Sequence, residues 1–274
     1  MRVVHIVLYL IAAGDDRGLR RQILVTMVLA LLPAVAAMAV GAVLGGVAQT
    51  WIWLGAWVYD ALVVFLTSRT GGDWRLHSAG HWAERYALVV ILAIGESIVS
   101  IGVGLREVEP DAASLVGSFL AIGGAVLLWW IYFHRFAAGI EHALARLSPD
   151  RRVAEASISF TYHHYSVVAG VILTALGIES VMAHIGEAEP LGWFGAAALA
   201  GGVALYQAAT VFIWHRLTGR WLVVRLTLAT LLLPGIALAA AVPPMAALAI
   251  SVVLGVVLVV IESRTRALRL PVAD

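Results

Sequence analysis

The 274-residue chain contains no cysteine and no lysine. The first absence removes disulfides, thiolate nucleophiles, iron–sulfur clusters and thiolate zinc sites. The second removes a Walker phosphate loop and Schiff-base chemistry, both of which need the lysine amine. All 18 basic residues are therefore arginine. Charge of either sign is scarce: 13% of residues are charged against 62% hydrophobic, the net charge is +1 and the mean hydropathy is +0.94. No run of like charge is long enough to hold nucleic acid. This is far more apolar surface than a soluble core needs, and it indicates an all-α, polytopic membrane protein.

Crossing a bilayer core takes about 20 apolar residues of helix. Windows of that kind recur at 21–44, 48–67, 86–105, 112–136, 160–183, 193–215, 221–241 and 245–263. They predict a membrane helix bundle of eight complete spans, built from repeated helical hairpins in a single integral membrane domain over 1–274. A ninth apolar stretch, Val3 to Ala13, is too short to cross and reads as a partial first helix. The connections alternate in arginine content. Arg17, Arg20, Arg21, Arg69, Arg75, Arg135, Arg146, Arg151, Arg152, Arg216, Arg220, Arg264, Arg266 and Arg269 fall on one side, and the intervening loops carry almost none. The positive-inside rule makes that side cytoplasmic, with Asp274 inside and residue 1 outside. The expected chain start then lies within a hairpin whose first half is missing. A Ser148-Pro149 pair predicts a helix restart after the fourth complete span.

Two spans share a pattern: His81 precedes Glu96-Ser97, and His164 precedes Glu179-Ser180, with fourteen residues between histidine and glutamate in each. The helices that follow end in WWIYFHR and FIWHR, and Pro33 and Pro234 stand alike in two further spans. This predicts a parallel array of hairpins, a common origin for transport folds. His81, Arg85, Glu96 and Ser100 fall in one stripe of about 100° on their helix, giving it a polar face.

Ionisable groups inside a membrane turn toward a bundle interior or a wet cavity. The candidates for transport or binding are therefore Glu96, Glu179, His81, Glu84, Arg85, His164, Asp60 and Ser97. Against ion handling by Glu96, Glu179 and Asp60 stands interhelical hydrogen bonding, and against a site at His81, Glu84 and Arg85 stands an interfacial cluster that orients the helix start. His134 with Arg135 and His215 with Arg216 read as boundary markers, and Trp51, Trp53 and Trp57 as an interfacial belt. Arg225 lies one turn inside its span, where Asp60 or Glu84 is a candidate partner, and Gly41 with Gly45 matches a GxxxG packing pattern. His163 and His164 cannot share a helix face and no HExxH occurs, so a zinc hydrolase has little support. No cofactor and no metal are implied. The expected partners are the lipid bilayer and a small ion or solute.

The segment HWAERYALVVILAIGESIVSIG, residues 81–102, resembles the signature of the bacterial low temperature requirement protein A family, and WWIYF and YHHYSVVAGVILTALGIES resemble it further along. The resemblance maps His81, Glu84, Arg85, Gly95, Glu96 and Ser97 onto the family pattern. It implies a multi-spanning protein of the bacterial inner membrane, linked by name to growth in the cold, whose usual members begin with further helices. Three functions follow for comparison: a secondary transporter or channel for a small ion or solute, a non-catalytic structural or regulatory protein in cold adaptation, and an intramembrane enzyme.

Overall fold

The structure, a computed structural model, describes residues 7–11, 13–69 and 78–265. The chain start, the loop holding Arg75, and Arg266 and Arg269 lie outside the described residues. Those described form helices and no strands. Seven helical stretches among them are long and apolar enough to cross a membrane. The fold is the all-α polytopic bundle expected, and it separates into two compact units, 1–76 and 77–274.

The first unit contains α1 (Arg17–Leu44) and α2 (Gly46–Arg69). They form an antiparallel hairpin, and its turn is made by Gly45 and Gly46, at φ of 68° and 57°. Glycine reaches that left-handed region without a Cβ clash. Gly45 is thus a turn residue, and of the GxxxG pair only Gly41 packs: a Cβ there would lie 2.8 Å from the Trp53 ring. Trp53 Nε1 donates to Met38 O at 3.1 Å. Pro33 sits inside α1, and having no N–H it leaves the carbonyl of Leu29 without its helical donor. The Tyr59 hydroxyl donates to that carbonyl at 3.0 Å, so α2 supplies what the proline removed. Asp60 is half-buried on α2.

The second unit runs α3 (Ala79–Gly104), α4 (Ala112–Phe133), α5 (Phe136–Ala145), α6 (Pro149–Glu155), eight residues of wider π-helical turns (Ala156–His163), α7 (His164–Ala183), α8 (Gly192–Thr218), α9 (Val223–Ala241) and α10 (Pro244–Arg264). The fourth expected span is broken at His134-Arg135, and α5 continues after it. Ser148 and Pro149 restart the chain as expected. Arg152 donates to the carbonyls of Ala145 and Leu147 at 2.7 and 2.9 Å, satisfying groups that the end of α5 leaves without partners. At the opposite end of α4, Asp111 and Ser114 form a reciprocal cap. The Ser114 backbone N–H, donating to the Asp111 carboxylate, holds its pKa below the usual 3.8.

The tightest seam joins α7 to α8. A Cβ on Gly177 would lie 2.3 Å from Leu199 N, one on Gly170 2.6 Å from Tyr206 N, and one on Gly202 2.5 Å from Thr174 N. Backbones this close need small residues, which is how membrane helices gain packing without a hydrophobic drive between them. α8 is the centre of the unit, with Tyr206, Val211, Ile213 and Trp214 all fully buried. α3 and α7 run parallel: Tyr86 meets Thr161 and His164 near one end, and Gly104 packs on Glu179 and Met182 near the other.

Candidate functional site

The arginine-rich end of the second unit is tied by two ion pairs. Arg216 on α8 forks onto Glu155 on α6, with Nε to Oε2 at 3.0 Å and Nη2 to Oε1 at 2.8 Å. Arg225 at the start of α9 forks onto Glu262 near the end of α10, at 2.6 and 2.9 Å. Arg225 is 0% exposed, its Nη2 also donates to Ile131 O at 3.0 Å, and its guanidinium lies over the Phe136 ring. The expected partners Asp60 and Glu84 are therefore replaced by Glu262. The reason is geometric: α9 and α10 form a hairpin whose outer ends coincide, which brings residues 37 positions apart face to face. A planar fork matches a carboxylate in two bonds, which suits arginine to such a buried pair.

Inward of that pair lies a cavity of about 40 Å³ lined by five helices: Leu128 and Ile131 from α4, Thr174 and Ile178 from α7, Gln207 from α8, Leu232 from α9, and Leu248 and Ser251 from α10 are among its walls. Most of the wall is aliphatic. Gln207 is 1% exposed, and its Oε1 has no hydrogen-bond partner. Ile131 also borders a smaller polar recess with Trp130, His134, Arg135, Glu262 and Ser263. The Arg225–Glu262 pair and Ile131 thus stand between that recess and the central cavity. At the other end, Ile178, Leu199 and Leu248 continue into an apolar cluster with Val181, Met182 and Ile185.

A second polar centre surrounds His164, which is 1% exposed. Its Nδ1 faces Ser159 O at 3.3 Å. A carbonyl only accepts, so the proton sits on Nδ1, and Nε2 accepts from the Tyr132 hydroxyl at 2.5 Å. The ring stacks on Phe160 at 5.0 Å and contacts Tyr86. The π-helical turns allow this, since both histidines there reach back five residues, His163 to Ile158 O and His164 to Ser159 O. Such turns often mark functional positions in helices. Tyr206 donates to Leu128 O at 2.8 Å, so α4 is stitched to both α7 and α8.

The other expected residues are spread apart. His81 and Glu84 are exposed and 3.8 Å from one another, and Arg85 is exposed beside them. The buried face of α3 consists of Ala83, Val90, Ala93, Ile94, Ser97, Ser100, Ile101 and Gly104. It is rotated from the expected polar stripe: Ser97 and Ser100 are inside, Ser97 Oγ has no hydrogen-bond partner, and Glu96 is exposed. Glu179 is half-buried on α7. The contacts of α3 with α7 join residues 74 to 79 positions apart, whereas the two glutamates are 83 apart. At 1.5 Å per residue, Glu179 therefore lies about 6–13 Å further from the arginine-rich end than Glu96. His134 stacks on Trp130 at 4.6 Å and His215 on Trp221 at 3.8 Å. Gln207 and Glu262 were not among the candidates. A glutamine in the middle of the run GGVALYQAATVF was a usable signal. Glu262, in the last turn of the last span, looks like an ordinary boundary residue.

A family model of the bacterial low temperature requirement A protein (LtrA) matches residues 1–260. An uncharacterised protein of Rhizobium meliloti (strain 1021) is 35% identical over 185 residues, which cover 62% of this chain and 43% of that protein. The match thus spans less than half the length of this curated relative. No solved structure matches. The chain belongs to the bacterial low temperature requirement A family and is a multi-pass membrane protein.

Proposed function

We propose that this member of the low temperature requirement A family moves a small ion or solute across the bacterial inner membrane, with the arginine-rich end and Asp274 in the cytoplasm. The observation that carries the reading is the Gln207 acceptor, left without a donor on the wall of a cavity lined by five helices. A bundle serving only as a scaffold gains nothing from it, because an unsatisfied buried acceptor costs roughly 1–3 kcal/mol. The cavity is the holding site. The Arg225–Glu262 pair is its closure toward the cytoplasm, and separating the pair connects the cavity with the recess at His134 and Arg135. Glu179 and Glu96 supply carboxylates along α7 and α3 at different depths, and protonation of either couples the movement to a proton gradient. Ser97 is a further polar position for the route, His164 holds the α4–α7 contact, and His81, Glu84 and Arg85 mark its cytoplasmic approach, while Asp60 is a separate candidate within the first unit.

The test is flux in proteoliposomes carrying a pH-sensitive dye, with gradients of small solutes imposed. Wild type should exceed empty vesicles. The double variant Arg225→Met/Glu262→Leu removes the closure while keeping side-chain volume, a replacement that buried pairs commonly tolerate, and it should leak several-fold faster. Flux equal to empty vesicles for both proteins overturns the reading.

A further inference from the structure

The central cavity shares a thin wall with a groove that faces sideways. A groove of about 270 Å³ lies between α9 and α10, and its rim residues Leu231 and Leu238 are 62% and 58% exposed. Groove and cavity share four lining residues, Leu228, Leu232, Ser251 and Leu254, so a single layer of side chains separates them. Both ends of the bundle are better closed. Arg225 and Glu262 shut one, and the apolar cluster around Met182 and Ile185 fills the other.

The polar atoms facing the cavity restrict what fits. The Thr174 hydroxyl donates to Gly170 O at 2.8 Å and the Ser251 hydroxyl to Ala247 O at 3.0 Å. Their protons are committed, so they offer lone pairs; Gln207 adds a side-chain amide whose Oε1 has no hydrogen-bond partner and whose Nε2 carries donor hydrogens. A head that brings a hydrogen supplies the donor that Gln207 Oε1 lacks. A charged head is disfavoured, because Glu262 and Arg225 are already paired with one another and burying a further unpaired charge is expensive. By the volume one water requires, the space takes a head of about three non-hydrogen atoms.

We propose that the ligand is a lipophilic molecule with a small neutral hydrogen-bond-donating head, a hydroxyl or an amide N–H. It enters from the membrane between α9 and α10 and places its head against Gln207 and its apolar body in the groove. This assignment rests on the transport reading, since it names the substrate class of the same cavity. Leu232 and Leu254 act as the partition that must turn aside for the head to pass. The route needs no aqueous opening and leaves the Arg225–Glu262 pair intact during uptake.

The experiment uses the full chain in nanodiscs of phosphatidylethanolamine and phosphatidylglycerol, with a long-chain primary alcohol bearing a diazirine and, separately, its methyl ether. After photolysis, labelled positions are mapped by mass spectrometry. The alcohol should label the segments around Gln207 and Ser251 about five- to ten-fold more than the ether, the worth of one hydrogen bond, while both label Leu231 and Leu238 alike. Gln207→Leu should bring the ratio at the cavity to about one, and Leu232→Trp should lower cavity labelling by both probes. Thermal midpoints check that each variant folds, and Ser251→Ala serves where one does not, with a smaller drop in the same ratio. Equal cavity labelling by alcohol and ether, or labelling confined to Leu231 and Leu238, overturns the assignment. Because labelling needs no turnover, those results leave the flux measurement standing, and absent flux with preserved labelling counts against transport alone.

Discussion

Two helix pairs of the second unit are built in opposite ways. The α7–α8 seam is closed by backbone meeting backbone at Gly170, Gly177 and Gly202, whereas α9 and α10 enclose a groove and are held at one end by a single buried ion pair. Burial follows the same division: 67% of the apolar stretch within α8 is buried, against 17% for that of α9 and 22% for that of α10. Van der Waals packing at small residues makes a fixed contact, because no side-chain rearrangement relieves a clash between backbones. An ion pair across a groove makes a contact with two states, joined or parted. Under the proposed transport function, the α7–α8 pair, the rigid half, is the cavity floor and the α9–α10 pair, the loose half, its movable wall.

The largest expected effect attacks the α9–α10 pair at its buried ion pair. Arg225→Met alone leaves the largely buried Glu262 carboxylate without its partner, and it should cost about 3–5 kcal/mol. The double variant Arg225→Met/Glu262→Leu should recover most of that loss in thermal or denaturant unfolding in detergent. If the two variants are equally destabilised, packing and not charge holds α9 to α10. A smaller effect is expected at the rigid seam. Gly177→Ala forces a Cβ against Leu199 and should cost about 1–3 kcal/mol by overpacking. The smallest is its counterpart in the loose half. Around Gly235 on α9 nothing lies within 4 Å of an added Cβ, so Gly235→Ala should be neutral or stabilise by up to about 1 kcal/mol through helix propensity. Equal losses at positions 177 and 235 would erase the distinction between the two halves.

The difference between the halves was only partly legible in the sequence. Helix positions were, since each span must satisfy its own backbone hydrogen bonds and therefore declares itself as a long apolar run. The Ser148-Pro149 restart was readable for a similar local reason. Facing was not. The stripe of His81, Arg85, Glu96 and Ser100 marks polarity, but burial on α3 is set by where α7 lies, and it selects Ser97 and Ser100 over Glu96. In a chain this apolar, every face of a helix is hydrophobic enough to be lipid-facing or buried, so periodicity loses its power to choose between them. The partner of Arg225 was hidden for the same reason, because which boundary glutamate it meets depends on how the last hairpin closes. Gln207 was the residue whose polarity in mid-span could have been noticed, and it lines the cavity.

The most direct measurement compares stability and flux in one variant, Gln207→Leu. Replacing an acceptor that has no partner by an apolar side chain of similar size should leave the thermal midpoint unchanged or raise it. In the same preparation, proteoliposome flux should fall toward that of empty vesicles. A lowered midpoint with undiminished flux would contradict the account, for Gln207 would then hold the bundle together and have no part in moving a solute through it.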